Sequence, residues 1–576
     1  MDSCNGMSEK KNFLSLIVVM IVILILLAMS IMLTGCTGRV SDKSESEDSA
    51  QNDTMLSSYP EYIEVETPLG TVKGAVNGDV FVFKGIPYAK PPVEELRFAP
   101  TQPVEPWLGV LDCLDYSAAA PQVGSIEGSN GESEDCLYLN IWAPAAEKNL
   151  TDSEAGAPVY VFFHGGSYSK GAGSKPVNDG TYFAEKGIIL VTVNYRLNAL
   201  GFMALEETMK QYGTTGNFGT LDQIQALKWV RDNISAFGGD PKRVTAGGNS
   251  AGAFAVSALM ISPLADGLFS QAVLESGCIL SSPVTSPYNR GDLEKSLDMS
   301  RRYAEMFGAE DSSEGLSILR KADADFLAHN AVFSLNFIDP ATYSFWPVFD
   351  GAVIPKDPLK AVKEGRIAPV KLFAGYNTDE GSLFIDEDIT ETDYKTSAYL
   401  MFGAKKAEKI LGKFPATEDH SAAARDRDLV TMSCFRAGMM EYADKLSAMG
   451  QDVYLYHYDY MTPTLLKTGL GATHASELPL FFGNAKKLDR EGETLSREMH
   501  LALVNFIMNG DPNVGFERPS GLLWPKYSQQ SQGDQQSEIN EANTMLFSTE
   551  CVIEGVAEME DLDFIRELMF GSGMIR

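Results

Sequence analysis

Six short runs of β-branched and aromatic residues most constrain what this chain can fold into. They are PVYVFFHGG (158–166), IILVTVNYR (188–196), RVTAGGNS (243–250), AVLESG (272–277), VKLFAGYN (370–377) and VYLYHYDY (453–460). Each has the length of a strand, and most are too continuously apolar to leave one face in water. Between several of them lie helical stretches; LDQIQALKWVRDNISAFG (221–238) places its apolar residues at helical spacing. Strands alternating with helices predict an α/β fold, a largely parallel central sheet covered by helices on both faces. The earlier stretch YIEVETPLGTVKGAVNGDVFVFKGIPYA (62–89) alternates and turns through glycines, as antiparallel hairpins do.

Ligands of such sheets sit beyond the carboxyl ends of the strands. One of those ends carries VTAGGNSAG (244–252), whose core Gly248-Asn249-Ser250-Ala251-Gly252 has the spacing that seats a serine on a sharp strand-to-helix turn. The helix-like AGAFAVSALMI follows at once, which is the context this motif needs. His164-Gly165-Gly166 ends another strand, and glycines there let backbone N–H groups approach a reacting carbonyl. A base for acyl transfer near neutral pH is expected to be histidine. Among the other histidines, His457 lies inside a strand pattern and reads as packed core, while His329, His420 and His500 read as solvated or satisfied surface residues. His474, in the glycine-rich loop TGLGATHASELPLFFG (468–483), is free to reach the strand ends. The preceding acid loop AGYNTDEGSLF (374–384) offers both Asp379 and Glu380, and position does not choose between them.

The first sixty residues read differently. Lys10 and Lys11 precede an uncharged apolar run, Phe13–Leu33, long enough to span a bilayer. Leu33-Thr34-Gly35-Cys36 then resembles the lipobox of bacterial lipoproteins, in which the cysteine is lipidated after cleavage; an uncleaved anchor helix is the alternative. Both readings leave the lysines in the cytoplasm and everything after Cys36 outside a bacterial membrane. Residues 36–60 are Ser/Asp/Glu-rich and read as a disordered acidic tether. The expected organisation is therefore a signal or anchor segment 1–35, a tether 36–60 and one α/β body 61–576. A formal net charge of −31 argues against a nucleic-acid partner. Seven cysteines are too few for a disulfide scaffold, and no clustered Cys/His set or phosphate loop points to a metal or nucleotide, so no cofactor is expected. Nothing in the sequence specifies an oligomeric state.

The body resembles the type-B carboxylesterase family, the cholinesterase-like α/β hydrolases, and is closest in character to the bacterial para-nitrobenzyl esterases. FGGDPKRVTAGGNSAG (237–252) is similar to the family's serine signature and EDCLYLNIWAP (134–144) to its second signature. FKGIPYAKPP, LRFAP, VNYRLNALGF, GNFGTLDQIQALKWVRDNI, WPVFDG, NTDEG, HASELPLFFG and NGDPN follow in the family's order, from about residue 63 to 550. The resemblance implies an α/β-hydrolase fold and a serine esterase acting on small-molecule carboxylic esters. It implies a triad of Ser250, Glu380 and His474, choosing Glu380 over Asp379 because the family's acid precedes the glycine of NTDEG. It implies an oxyanion hole from Gly165, Gly166 and Ala251, and a supporting contact from Ser276 to the acid.

Two positions depart from the family pattern. Asn249 stands where the family usually carries glutamate, which removes a carboxylate beside the nucleophile. The cysteine that would partner Cys136 is replaced by Ala120 in AAPQ, leaving either a Cys113–Cys136 pair or a buried free thiol. A non-catalytic cell-surface binding or adhesion protein on the same fold is the rival reading. The presence of serine, acid, base and glycine loop together favours the enzyme.

Overall fold

A computed structural model of the chain describes residues 61–124, 126–145, 156–281, 291–309, 314–329, 343–528 and 543–571. The chain divides into two units, 1–59 and Pro60–Arg576, and the described residues all fall in the second. The signal or anchor segment, Cys36 and the tether lie outside the described residues, as does most of the polar stretch 528–538. No helix among the described residues is long and apolar enough to cross a membrane.

The second unit is organised by one 13-stranded sheet. Its strands are β1 (Tyr62–Thr67), β2 (Gly70–Asn77), β3 (Val80–Pro87), β4 (Val110–Asp112), β5 (Tyr138–Pro144), β6 (Ala157–Phe163) and β7 (Ile189–Val193), then β8 (Gly239–Asn249), β9 (Gln271–Glu275), β10 (Lys371–Asn377), β11 (Val453–Tyr458), β12 (Thr544–Phe547) and β13 (Val552–Glu554). They lie in the order β1-β2-β3-β5-β7-β6-β8-β9-β10-β11-β12-β13, with β4 beside β2. From β7 to β12 every neighbouring pair is parallel. The hairpins β1–β2 and β2–β3 are antiparallel, as the glycine turns of 62–89 predict. All six expected strands form.

Alternation along the parallel strands divides the core. Val159, Val161 and Phe163 of β6 face one layer, with Ile224 and Leu227 of helix α1 (Phe218–Asn233) and Val256 of helix α2 (Ala251–Ile261). Tyr160 and Phe162 face the other layer. A long helix carrying Met499, Leu503 and Phe506 covers that second layer. Burial on both faces is why the strands read as continuous apolar runs. Helix α2 is buried along its whole length, as a helix apolar on every side must be. Arg196, just past β7, clamps α1 through two 2.8 Å hydrogen bonds to Asp222 and a third to the Ala99 carbonyl at 2.9 Å.

The approach of α2 to the sheet is close enough to exclude a side chain. A Cβ on Gly252 would lie 1.9 Å from the carbonyl oxygen of Phe163, at the end of β6, and one on Gly248 would lie 2.6 Å from the same oxygen. Gly412, in helix α3 (Ala404–Lys413), has open space around it. Gly252→Ala should therefore destabilise the fold by about 3 kcal/mol or more through overpacking. Gly412→Ala should stabilise it by about 0.5–1 kcal/mol by reducing the freedom of the unfolded chain. Chemical denaturation of both variants checks the pair; equal effects would contradict the packing argument.

Candidate active site

Ser250 stands alone between β8 and α2, at φ 56° and ψ −125°. That conformation is sparsely populated for a residue with a side chain and costs on the order of 1–3 kcal/mol. Its neighbours hold it there: the Ser250 N–H donates to the Glu275 carbonyl at 2.9 Å, and its own carbonyl accepts from the Phe254 N–H at 3.0 Å. A Cβ on Gly277 would meet the Ser250 carbonyl at 2.6 Å. The turn is thus gripped on both sides, and it presents Ser250 to a cavity of about 740 Å³.

His474 lines the same cavity from the loop after β11. Its Nδ1 lies 2.5 Å from Oε2 of Glu380, which is fully buried. The other Glu380 oxygen accepts the Asn377 backbone N–H at 2.8 Å. The imidazole is boxed by Phe384 and Phe435, with ring centroids at 5.1 and 4.6 Å. Its Nε2 is buried and has no hydrogen-bond partner, so it does not bond Ser250 here. Catalytic hydrogen bonds are often long until substrate binds. Asp379, one residue earlier, points elsewhere: its Oδ2 accepts the Ala472 N–H at 2.8 Å and braces the histidine loop.

Gly165 and Gly166 line the cavity beside Ser250, and a Cβ on Gly165 would come within 3.0 Å of the Ser250 Cβ. Gly166 is at φ 123° and faces the Lys170 carbonyl, 2.0 Å from where a Cβ would sit. Ala251 opens α2, so its N–H is one of the helix-end donors without an intrahelical acceptor. His164 does not compete as a base. Its ring stacks on Tyr195 at 4.5 Å, its Nδ1 bonds the Gly165 carbonyl at 2.9 Å, and burial pushes its pKa down to about 3. It shapes the glycine loop.

Beneath the histidine lies a carboxylate that the sequence reading missed. Glu477 is fully buried; its Oε1 accepts from Asn249 Nδ2 at 2.8 Å and from Ser276 Oγ at 3.4 Å, and its Oε2 from Asn377 Nδ2 at 2.5 Å. Burial first, and the charge of Glu380 second, push its carboxyl up to about 7. The Glu275 carboxyl, also buried and without hydrogen-bond partners, is pushed well above the usual carboxylate range by burial and by Glu477. In sequence, Glu477 resembles any solvated acid in a turn; its spacing of three from His474 in a glycine-rich loop is the one signal.

Three readings need correction. Ser276 touches Glu477 and not Glu380, because it leaves β9 at φ 56° with its N–H on the Gly375 carbonyl. Of the two alternatives left open for Cys113 and Cys136, the buried free thiol is the one present, and burial pushes Cys113 up to about 12. His500 is buried rather than superficial, with Nδ1 bonded to the Phe481 carbonyl at 2.8 Å. His457 is half-buried rather than packed core, held between Thr378 and Glu554 at 2.8 and 2.9 Å.

The family model of the carboxylesterase family matches residues 61–553. The chain is 34% identical over 525 residues to the para-nitrobenzyl esterase of Bacillus subtilis (strain 168), covering 86% of this chain and 97% of that one. It is 33% identical over 518 residues to carboxylesterase 1D of Rattus norvegicus, covering 80% and 88%. Among solved structures, a PNB esterase superposes with a TM-score of 0.72 at 31% identity, over 87% of this chain and 99% of that one. A Geobacillus stearothermophilus carboxylesterase superposes with a TM-score of 0.72 at 33% identity, over the same shares. The chain therefore belongs to the carboxylesterase family: it has the α/β-hydrolase fold and is a carboxylic ester hydrolase.

Proposed function

We propose that ester hydrolysis runs through an acyl-enzyme on Ser250, with His474 as base and Glu380 as the acid that orients it. The observation that carries this reading is the 2.5 Å contact between Glu380 and His474 Nδ1, with Nε2 left unpartnered in the cavity that Ser250 shares. His474 takes the Ser250 proton as the oxygen attacks the ester carbonyl. The N–H groups of Gly165, Gly166 and Ala251 receive the developing oxyanion, and one such donor is typically worth about 10²–10³ in rate. His474 returns the proton to the leaving alcohol, then activates the water that releases the acid. The strained turn at Ser250 favours this reading over a binding protein, which has no use for a nucleophile held in an uncommon conformation.

Ser250→Ala and His474→Ala should each lower kcat on a simple ester by about 10⁴-fold or more, and the double variant should lose little beyond either single one. Additive losses in steady-state kinetics would contradict a triad acting as a unit.

Glu477 is a neighbour on which burial disfavours a second negative charge beside the site. Its folded value of about 7 lies above the ordinary glutamate range, so the native state holds that proton more tightly than the unfolded chain. Its contribution to stability is full below the ordinary range and is lost as pH rises through about 7. Glu477→Gln should therefore flatten the fall in Tm between about pH 5 and about pH 8. An unchanged slope in thermal melts would contradict it.

The N-terminal segment supports export and lipid attachment at Cys36, tethering the enzyme to the outer face of a bacterial membrane through residues 36–60. The lysines flanking the run Phe13–Leu33 and the Leu33-Thr34-Gly35-Cys36 sequence motivate this. Cys36→Ser should abolish processing and palmitate labelling; unchanged processing would favour the uncleaved anchor helix.

A further inference from the structure

Two lysines line the cavity that holds Ser250 and His474. Both ride the loop after β6 that carries Gly165 and Gly166. The Lys170 N–H donates to the Gly166 carbonyl at 3.0 Å, and its Cγ lies 3.2 Å from where a Gly166 Cβ would sit. Lys175 is half-buried, near enough for its charge to act on the His164 ring next to Gly165. Burial, and then the charge of Lys170, hold Lys175 below the usual lysine value.

Some lysines of this chain, whose net charge is −31, find acids. Lys73, Lys90, Lys395, Lys413 and Lys526 each pair with a carboxylate at 2.5–2.7 Å. Among the described residues no carboxylate pairs with the ammonium of Lys170 or Lys175. Asp386 is the one acid among the cavity's described lining residues, and it bonds neither. A half-buried ammonium beside a second one, with no counter-ion, is unfavourable until an anion arrives.

We infer that Lys170 and Lys175 form an anion subsite of the catalytic cavity, so that the preferred substrates are esters carrying a second, ionised carboxylate in their acyl or alcohol part. This rests on the esterase reading and deepens it from ester to acidic ester. The neutral walls of the same cavity, Phe162, Val177, Leu383 and Leu478, would pack the hydrocarbon between the two ends. An ammonium–carboxylate contact in a partly desolvated cavity is worth about 10- to 100-fold in affinity.

The test compares matched pairs differing only in that charge. Monoethyl adipate is set against ethyl 5-carbamoylpentanoate for the acyl side, and the butyrate ester of 4-hydroxybutanoate against that of 4-hydroxybutanamide for the alcohol side. Acid release is followed in a pH-stat near pH 7.5. The wild type should favour the carboxylate in at least one pair by about tenfold or more in kcat/KM, chiefly through KM, and the ratio should fall as salt rises. The ratio should approach one in Lys170→Met/Lys175→Met, survive in Lys170→Arg/Lys175→Arg and invert in Lys175→Glu. Because each ratio is taken within one enzyme, a general loss of activity does not obscure it, and the salt series needs no variant. Ratios near or below one in both wild-type pairs, with the amides turned over, would overturn the subsite and leave the esterase standing. No turnover of any of the four esters would overturn the esterase reading and this inference with it.

Discussion

The carbonyl oxygen of Phe163 occupies the place where a Cβ on Gly252 would sit, 1.9 Å away, and the rest of the site depends on that contact being possible. It lets α2 start directly against the end of β6 rather than a side chain's width above it. Ser250 is then forced into a turn with no room to relax, between a strand whose N–H partner is fixed on β9 and a helix whose first hydrogen bond uses the serine carbonyl. The same closeness sets the Ser250 Cβ within 3.0 Å of where a Gly165 Cβ would sit. Two glycines, Gly248 and Gly252, thus set the proposed nucleophile beside the proposed backbone donors before any substrate arrives, which is preorganisation in its simplest form.

The second requirement is electrostatic. A buried histidine that is to become an imidazolium needs a carboxylate beside it, and Glu380, held by the Asn377 backbone N–H, is the one at its Nδ1. A second carboxylate close by would overstabilise the cation unless it stayed neutral. Burial disfavours that second charge on Glu477, while three side-chain donors, Asn249, Asn377 and Ser276, hold its oxygens in place. Asn249, where the family usually carries glutamate, meets Glu477 with an uncharged donor.

The parallel core was legible because strands buried on both faces have few alternatives: 158–166 became Ala157–Phe163, and AGAFAVSALMI became α2 residue for residue. Strand β8 begins earlier than the apolar pattern suggests, since Gly239 pairs with Ala157 across polar residues that pattern reading discards. Ser250, His474 and Glu380, the proposed triad, were singled out for a different reason, as members of an ordered set of motifs; residue chemistry alone left Asp379 and Glu380 tied. They separate only when the turn after β10 folds, aiming one carboxylate at the Ala472 backbone and the other at the imidazole. Contacts between loops distant in sequence were not legible. The partner of Ser276, the burial of His500 and the pairing of Glu477 all depend on how separate segments stack under the strand ends.

The central claim is that this geometry makes one serine hydroxyl nucleophilic. A fluorophosphonate probe tests it most directly, because its phosphorus accepts the attacking oxygen and leaves an adduct resembling the tetrahedral intermediate. Purified protein is incubated with the probe and the modified peptide mapped by mass spectrometry. The account predicts a single labelled peptide containing Ser250, with labelling lost in His474→Ala although that serine is still present. Folded wild-type protein that takes up no label, or that labels equally without His474, would contradict it.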